Sequence, residues 1–257
     1  MAEKICVFGQ YQNYSEEVFD DGVRTSRYVE MRDGIRLAID IFRPTSNGAP
    51  VKEKLPVLWT HTRYQRAFIL ENGKLLTCIE NETYEADWLI SVIRHGYVVV
   101  TVDVRGGGAS FGVNRGQYSS EEANDAYDVT EWIAAQPWCN GEVGMFGRSY
   151  LGITQYFAAS KQPPHLRTLF PEMASFDHYL YCYSGGVFRD TSRFDWHMFV
   201  NNLDQSVPMV WRGGYNGPVS TVDNDDGELL RAALWKHRGN LNWYRMLVDS
   251  PYRDSID

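Results

Sequence analysis

Three short apolar runs, separated by stretches of helical spacing, restrict this chain more than any other feature. They are Pro56-Val57-Leu58-Trp59-Thr60, Val98-Val99-Val100-Thr101-Val102 and Val143-Gly144-Met145-Phe146. Each carries apolar residues at odd and even positions alike. A strand that is apolar on both faces must be covered on both, which is the condition of a central parallel strand packed between helices. Between the first two runs, residues 84–95 present Trp88, Leu89, Val92 and Ile93 at helical spacing. Between the second and third, Ser119 to Gln136 reads as a helix. Ser119 and Glu122 fit a capping box, Ala126, Val129 and Ile133 share one face, and Pro137 stops it. A helix from Tyr150 to about Ser160 and a fourth strand-like run, Leu166 to Phe170, continue the alternation. The expected class is α/β, a mostly parallel sheet flanked by helices.

A hairpin precedes this alternation. Tyr28 to Met31 reads as a strand, Asp33-Gly34 suits a tight turn, and Ile35 to Phe42 alternates apolar and polar residues until Pro44 ends the run. Residues 1–26 lack a clear period and read as an N-terminal extension. Residues 27–174 then form the core. Residues 175–257 read as a helical cap region, with ten aromatic side chains between Phe176 and Tyr215 and expected helices at 227–238 and 240–248.

Composition removes several functions. The 257 residues are 44% hydrophobic and 23% charged, enough for one sizeable core and too apolar for a disordered chain. A net charge of −8 opposes nucleic-acid binding, which needs a basic face. The four cysteines (Cys6, Cys78, Cys139, Cys182) form no C-x-x-C pair and read as separate thiols. The first residues lack the apolar stretch of a signal peptide, and no run approaches the ~20 apolar residues of a membrane span. The expectation is a soluble, cytoplasmic protein. Gly106-Gly107-Gly108-Ala109-Ser110-Phe111 fails the dinucleotide pattern and reads as a tight turn. Asp223-Asn224-Asp225-Asp226-Gly227 fails the calcium-loop spacing and reads as a polar turn.

Gly147-Arg148-Ser149-Tyr150-Leu151-Gly152 carries the chemistry. It lies between an expected strand and an expected helix, the context of a nucleophile elbow, with its last glycine one place later than in G-x-S-x-G. A serine in such a strained turn is pushed out of the backbone, beside the N–H groups of a helix start. Gly147 is expected to let strands approach, and Gly152 to let the helix lie on the sheet.

Several blocks in order resemble the CocE/NonD hydrolases, the family of cocaine esterase, α-amino-acid ester hydrolases and X-prolyl dipeptidyl peptidases. They are Asp33 to Pro44, His61-Thr62-Arg63-Tyr64-Gln65-Arg66, Gly96 to Gly112, Gln136 to Gly141, and the elbow. The resemblance implies an α/β-hydrolase fold with Ser149 as the acylated nucleophile. It also implies two oxyanion-hole donors, the Tyr150 backbone N–H and the Tyr64 phenol. The reaction it implies is cleavage of a carboxylic ester through an acyl-enzyme, with no metal or organic cofactor. Its substrates are small esters or short peptides. The alternatives are an X-Pro dipeptidyl peptidase, which must also hold a charged amine, and a non-catalytic binding module.

A serine nucleophile needs a histidine base and an orienting carboxylate, in the order Ser, Asp or Glu, His. Asp223, Asp225 or Asp226 with His237 satisfies the order within the chain. His237, however, ends a helical pattern, whereas the resembling family places its histidine on a loop after further strands. The expectation is that the acid and base lie beyond Asp257.

Overall fold

The computed structural model describes residues 5–7, 10–12, 15–77, 86–211 and 214–253, and the side chains of 15–77, 88–210 and 216–253. Residues 84–85 of the first expected helix, Cys78, and the side chains of Cys6, Trp211 and Tyr215 lie outside that description. Cys139 and Cys182 are free and buried.

Six strands form the central sheet: β1 (Asp21–Glu30), β2 (Arg36–Ser46), β3 (Leu55–Thr62), β4 (Val98–Asp103), β5 (Cys139–Arg148) and β6 (Leu166–Glu172). Their spatial order is β6-β5-β3-β4-β2-β1, with Ala49–Pro50 added to the end of β2. β3, β4, β5 and β6 pair in parallel, and β2 joins β4 and β1 antiparallel. Helices α1 (Ala86–Arg94), α2 (Ser120–Ala134) and α3 (Tyr150–Ser160) alternate with the strands. This is the mixed, helix-flanked sheet of an α/β hydrolase.

The two-faced apolar runs explain the layers. Val98, Val100 and Val102 of β4, with Val143 and Met145 of β5, pack against Ala126, Val129 and Ile133 of α2. The alternate residues Val99 and Phe146 pack with Leu89 and Ile93 of α1 on the opposite face. Burying one such side chain contributes about 1.5–3 kcal/mol, so a polar substitution on either face of β4 is costly. Ser119 caps α2 as its capping-box position requires, accepting the Glu122 N–H at 3.2 Å.

The hairpin differs from its sequence reading in two ways. β1 begins at Asp21, seven residues before the expected start at Tyr28, and is held by ten cross-strand pairs with β2 rather than by a buried face. β2 runs through Pro44 to Ser46. Pro44 is tolerated because pairing with β4 ends at Phe42, so its missing N–H breaks no bond on that side.

Helices α4 (His178–Cys182), α5 (Asp190–Asp204), α6 (Glu228–His237) and α7 (Trp243–Asp249) follow. Met209–Trp211 pairs only with Gly214–Asn216, so the strand-like run near 207–211 is a separate hairpin and not a further strand of the sheet. Among the described residues, no helix is long and apolar enough to cross a membrane.

Candidate active site

Loops at the carboxyl ends of β3 and β4 are fixed by buried charge. The Asp103 carboxylate accepts the Arg66 N–H at 2.6 Å and the Ala109 N–H at 2.9 Å. Asp40 pairs with Arg24 at 2.8 Å and with Arg66 at 3.4 Å. Burial pushes Asp103 up to about 6, against the opposing pull of Arg66. The glycine turn closes over this carboxylate: a Cβ on Gly108 would lie 2.2 Å from Asp103 Cγ, and Gly108 has φ +55°. Only glycine fits there. The clamp sets the direction in which residues 63–66 leave β3, and so places Tyr64.

Ser149 sits where β5 passes into α3, with φ 58° and ψ −118°, a combination that strains a residue bearing a Cβ. The backbone around it cannot relax. Its N–H donates to the Glu172 carbonyl at 2.9 Å, and its carbonyl accepts from Gly152 and Ile153, both at 3.0 Å. The Ser149 side is exposed while Tyr150 is buried. Gly152 acts as expected, since a Cβ there would stand 2.8 Å from the Glu172 carbonyl. Gly147 also borders a neighbouring strand, since its missing Cβ would stand 3.0 Å from Thr60 Oγ1 of β3. It has φ +143°, and the same Cβ would meet Leu151 Cβ at 2.4 Å, in the first turn of α3. A tighter strand approach falls at Gly144, between Thr168 and Leu58, at 2.7 and 2.8 Å.

Tyr64 and Ser149 come together. The Tyr64 phenol accepts a hydrogen bond from Trp196 Nε1 of α5 at 3.3 Å, and the Ser149 side chain lies near enough to act on it. Burial raises the phenol above its ordinary pKa, so it stays protonated and able to donate. Tyr150 opens α3, which puts its N–H among the unpaired donors of a helix start. Its ring packs edge-on to Tyr64 at 6.2 Å and stacks on Trp196 at 6.2 Å.

The structure also engages Glu122, which the sequence showed only as a helix cap. Both carboxylate oxygens accept from the Tyr150 phenol at 2.8 Å, and burial pushes Glu122 up to about 7. The capping-box position was its only sequence signal.

Among the described residues, no histidine ring is hydrogen-bonded to Ser149. His237 lies in α6 with Nδ1 2.6 Å from the Asp204 carbonyl and Nε2 2.7 Å from the Ser110 carbonyl, so both nitrogens are occupied. Asp223 accepts the Ser26 N–H, Asp225 caps the start of α6, and Asp226 accepts the Glu228 N–H. His165 binds Glu131 at 2.7 Å, and His95 faces the Ser91 carbonyl at 2.8 Å. His178 sits 3.5 Å from Cys182 Sγ, and His197 stacks on Tyr244. His61 is buried with neither nitrogen hydrogen-bonded among the described residues, and burial lowers it to about 3.

Comparison with known proteins shows the family. The sequence profile of the family described as X-Pro dipeptidyl-peptidase (S15 family) matches residues 33–253. A Mycobacterium bovis protein provisionally named a serine esterase is 33% identical over 245 residues, covering 90% of this chain. Cocaine esterase of Rhodococcus is 41% identical over 157 residues, covering 61% of this chain and 24% of that protein. The crystal structure of a CocE/NonD family hydrolase from Staphylococcus aureus superposes with a TM-score of 0.61 at 25% identity, over 91% of this chain and 37% of that one. The chain spans 38% of the length of the mycobacterial relative. With a profile match over most of its length, the chain belongs to the X-Pro dipeptidyl-peptidase (S15) family.

Proposed function

We propose that this chain supplies the nucleophile and oxyanion hole of a serine hydrolase that cleaves carboxylic esters. One observation carries the reading: Ser149 is held exposed in a strained strand-to-helix turn, with the Tyr64 phenol and the start of α3 beside it. Ser149 Oγ attacks the ester carbonyl while a base takes its proton. The Tyr64 phenol and the Tyr150 N–H stabilise the oxyanion, each contributing about 3 kcal/mol in the transition state. The intermediate collapses to an acyl-enzyme as the protonated alcohol leaves, and water then releases the acid. Ester cleavage is favoured over dipeptide release by the esterase names of relatives at 33% and 41% identity, whereas relatives named Xaa-Pro dipeptidyl-peptidases are 24–27% identical.

In this reading the base and its carboxylate come from a segment outside these residues that pairs along β6. Two features support that source. The ring nitrogens of His237 and the three nearby aspartates are occupied elsewhere. Among the described residues β6 pairs only with β5, and Phe170 on β6 is 68% exposed. Helices α4–α7 act as a cap whose aromatic side chains, Trp196 first, face the acyl group.

The test is intact-mass labelling of the full-length protein by a small fluorophosphonate, beside Ser149→Ala. One adduct, lost in the variant, is expected. No adduct on the folded protein overturns the reading. An adduct on the isolated 257-residue chain would place the base within it and remove the β6 assignment. Faster turnover of an X-Pro anilide than of p-nitrophenyl esters would make the enzyme a peptidase.

A further inference from the structure

Both proposed oxyanion donors are joined to one buried polar chain that the reaction itself does not use. Tyr150 donates its phenol proton to Glu122 at the start of α2, at 2.8 Å. The buried Arg63 guanidinium lies near enough to act electrostatically on both Tyr150 and Glu122. Arg63 in turn donates to Asp204 Oδ2 at 2.7 Å, at the end of α5. Asp204 also accepts from Asn240 Nδ2 at 2.9 Å. Arg63 is the residue before Tyr64, and Tyr150 is the residue after Ser149. Each donor is therefore one peptide unit, or none, from a member of this chain.

Stability alone explains the arrangement poorly. Arg63 Nε and Nη1 and Asp204 Oδ1 are buried with no partner among the described residues. A partly satisfied buried ionic network is a weak stabiliser, and apolar residues of equal volume commonly replace one without loss. The Tyr150 ring already packs on Tyr118 at 4.5 Å and on Trp196, so a phenylalanine would keep that packing. What the polar chain adds is position. It ties the Tyr150 phenol to Glu122, which fixes the ring and the peptide unit that carries it, and it ties Arg63, next to Tyr64, to Asp204.

We propose that Glu122 and Arg63 are positioning residues for the oxyanion hole, Glu122 holding the Tyr150 phenol and Arg63 anchoring the Tyr64 loop on Asp204, so that the Tyr150 N–H and the Tyr64 phenol stand at one fixed spacing. This rests on the serine hydrolase reading above. Neither residue touches the substrate. A small shift of a donor weakens the transition state more than the bound ester, because only the transition state carries the full oxyanion charge.

The experiment uses the full-length protein with p-nitrophenyl esters, and counts active sites by fluorophosphonate titration so that misfolded molecules drop out. Glu122→Leu, Tyr150→Phe and the double variant are compared. Each single change is expected to lower kcat per titrated site about tenfold while KM stays within twofold. The double variant is expected to fall no further than the weaker single, because both remove the same contact. A parental kcat per site in Glu122→Leu overturns the proposal, as does a double variant whose loss is the product of the two. If either single variant does not fold, the other decides alone, since each removes one side of the same hydrogen bond. A parent without any titratable serine overturns the hydrolase reading and this proposal together. A reactive parent with an unaffected Glu122→Leu overturns only this one.

Discussion

Removing the Cβ of residue 149 should make the protein more stable. At φ 58° and ψ −118° the serine is held by three backbone hydrogen bonds of 2.9 to 3.0 Å, one through its N–H and two through its carbonyl. Strain of this kind costs about 1–3 kcal/mol in the folded state. Ser149→Ala keeps the Cβ and therefore the strain. Ser149→Gly releases it but gives the unfolded chain more freedom, a loss of about 0.4–1 kcal/mol. The difference between the two variants isolates the Cβ, because both lack the hydroxyl. The net gain for glycine is about 1 kcal/mol, and for a chain of this size that raises Tm by about 2–4 °C. Thermal melts followed by circular dichroism, with the two variants in the same buffer, measure it directly. A Ser149→Gly melt at or below that of Ser149→Ala would mean that the turn stores no strain, and the argument that it forces the hydroxyl outward would fail.

Two further outcomes follow from the same region. Tyr64→Phe should lower kcat for ester hydrolysis by about 10²–10³-fold with little change in KM, as expected for loss of one oxyanion donor; an unchanged kcat would remove Tyr64 from that role. His61 is neutral in the fold, lowered to about 3 from 6.5, whereas the unfolded chain takes up a proton below 6.5. The folded state binds fewer protons in that window, so this residue's contribution to stability is lost as pH falls, by about 2 kcal/mol at pH 5. His61→Leu should accordingly narrow the gap in Tm between pH 8 and pH 5 relative to the parent, and equal gaps in the two proteins would refute the assignment.

The sequence revealed what depends on neighbours along the chain. The elbow was legible because strand, turn and helix are contiguous from Val143 to Ser160, and Gly147 is needed against Leu151 within that segment. The α2 cap was legible because Ser119 and Glu122 lie three residues apart. The central strands were legible because burial on two faces leaves no polar position. What escaped depends on partners distant in sequence. Nothing near Asp21 signals a strand, since its face is largely exposed and its bonds go to β2. Arg63, Glu122 and Asp204 look like surface charges until the fold brings them together. Arg63 and Asp204 are 141 residues apart, and no local pattern encodes their contact. The unpaired His61 was hidden for the same reason, because a histidine at the end of an apolar run reads like any strand residue.

The strand order carries a consequence for how the protein is made. β3 is the buried middle of the sheet, with Trp59 fully inaccessible, yet both of its partners, β4 and β5, are synthesised after it. A nascent chain that has produced β3 can close the β1–β2 hairpin but has nothing to lay along either edge of its most apolar strand. Such non-local parallel pairing is slow and leaves apolar edges open to association until it completes. Pairing of β3 with β5 brings Thr60 within 3.0 Å of where a Cβ on Gly147 would stand, at the foot of the elbow, and it cannot form before β5 is made. Until then Ser149 is an ordinary serine in an unstrained chain. Maturation of the nucleophile is thus timed by closure of the sheet, and conditions that delay β5 should yield protein that is present in the cell but chemically silent.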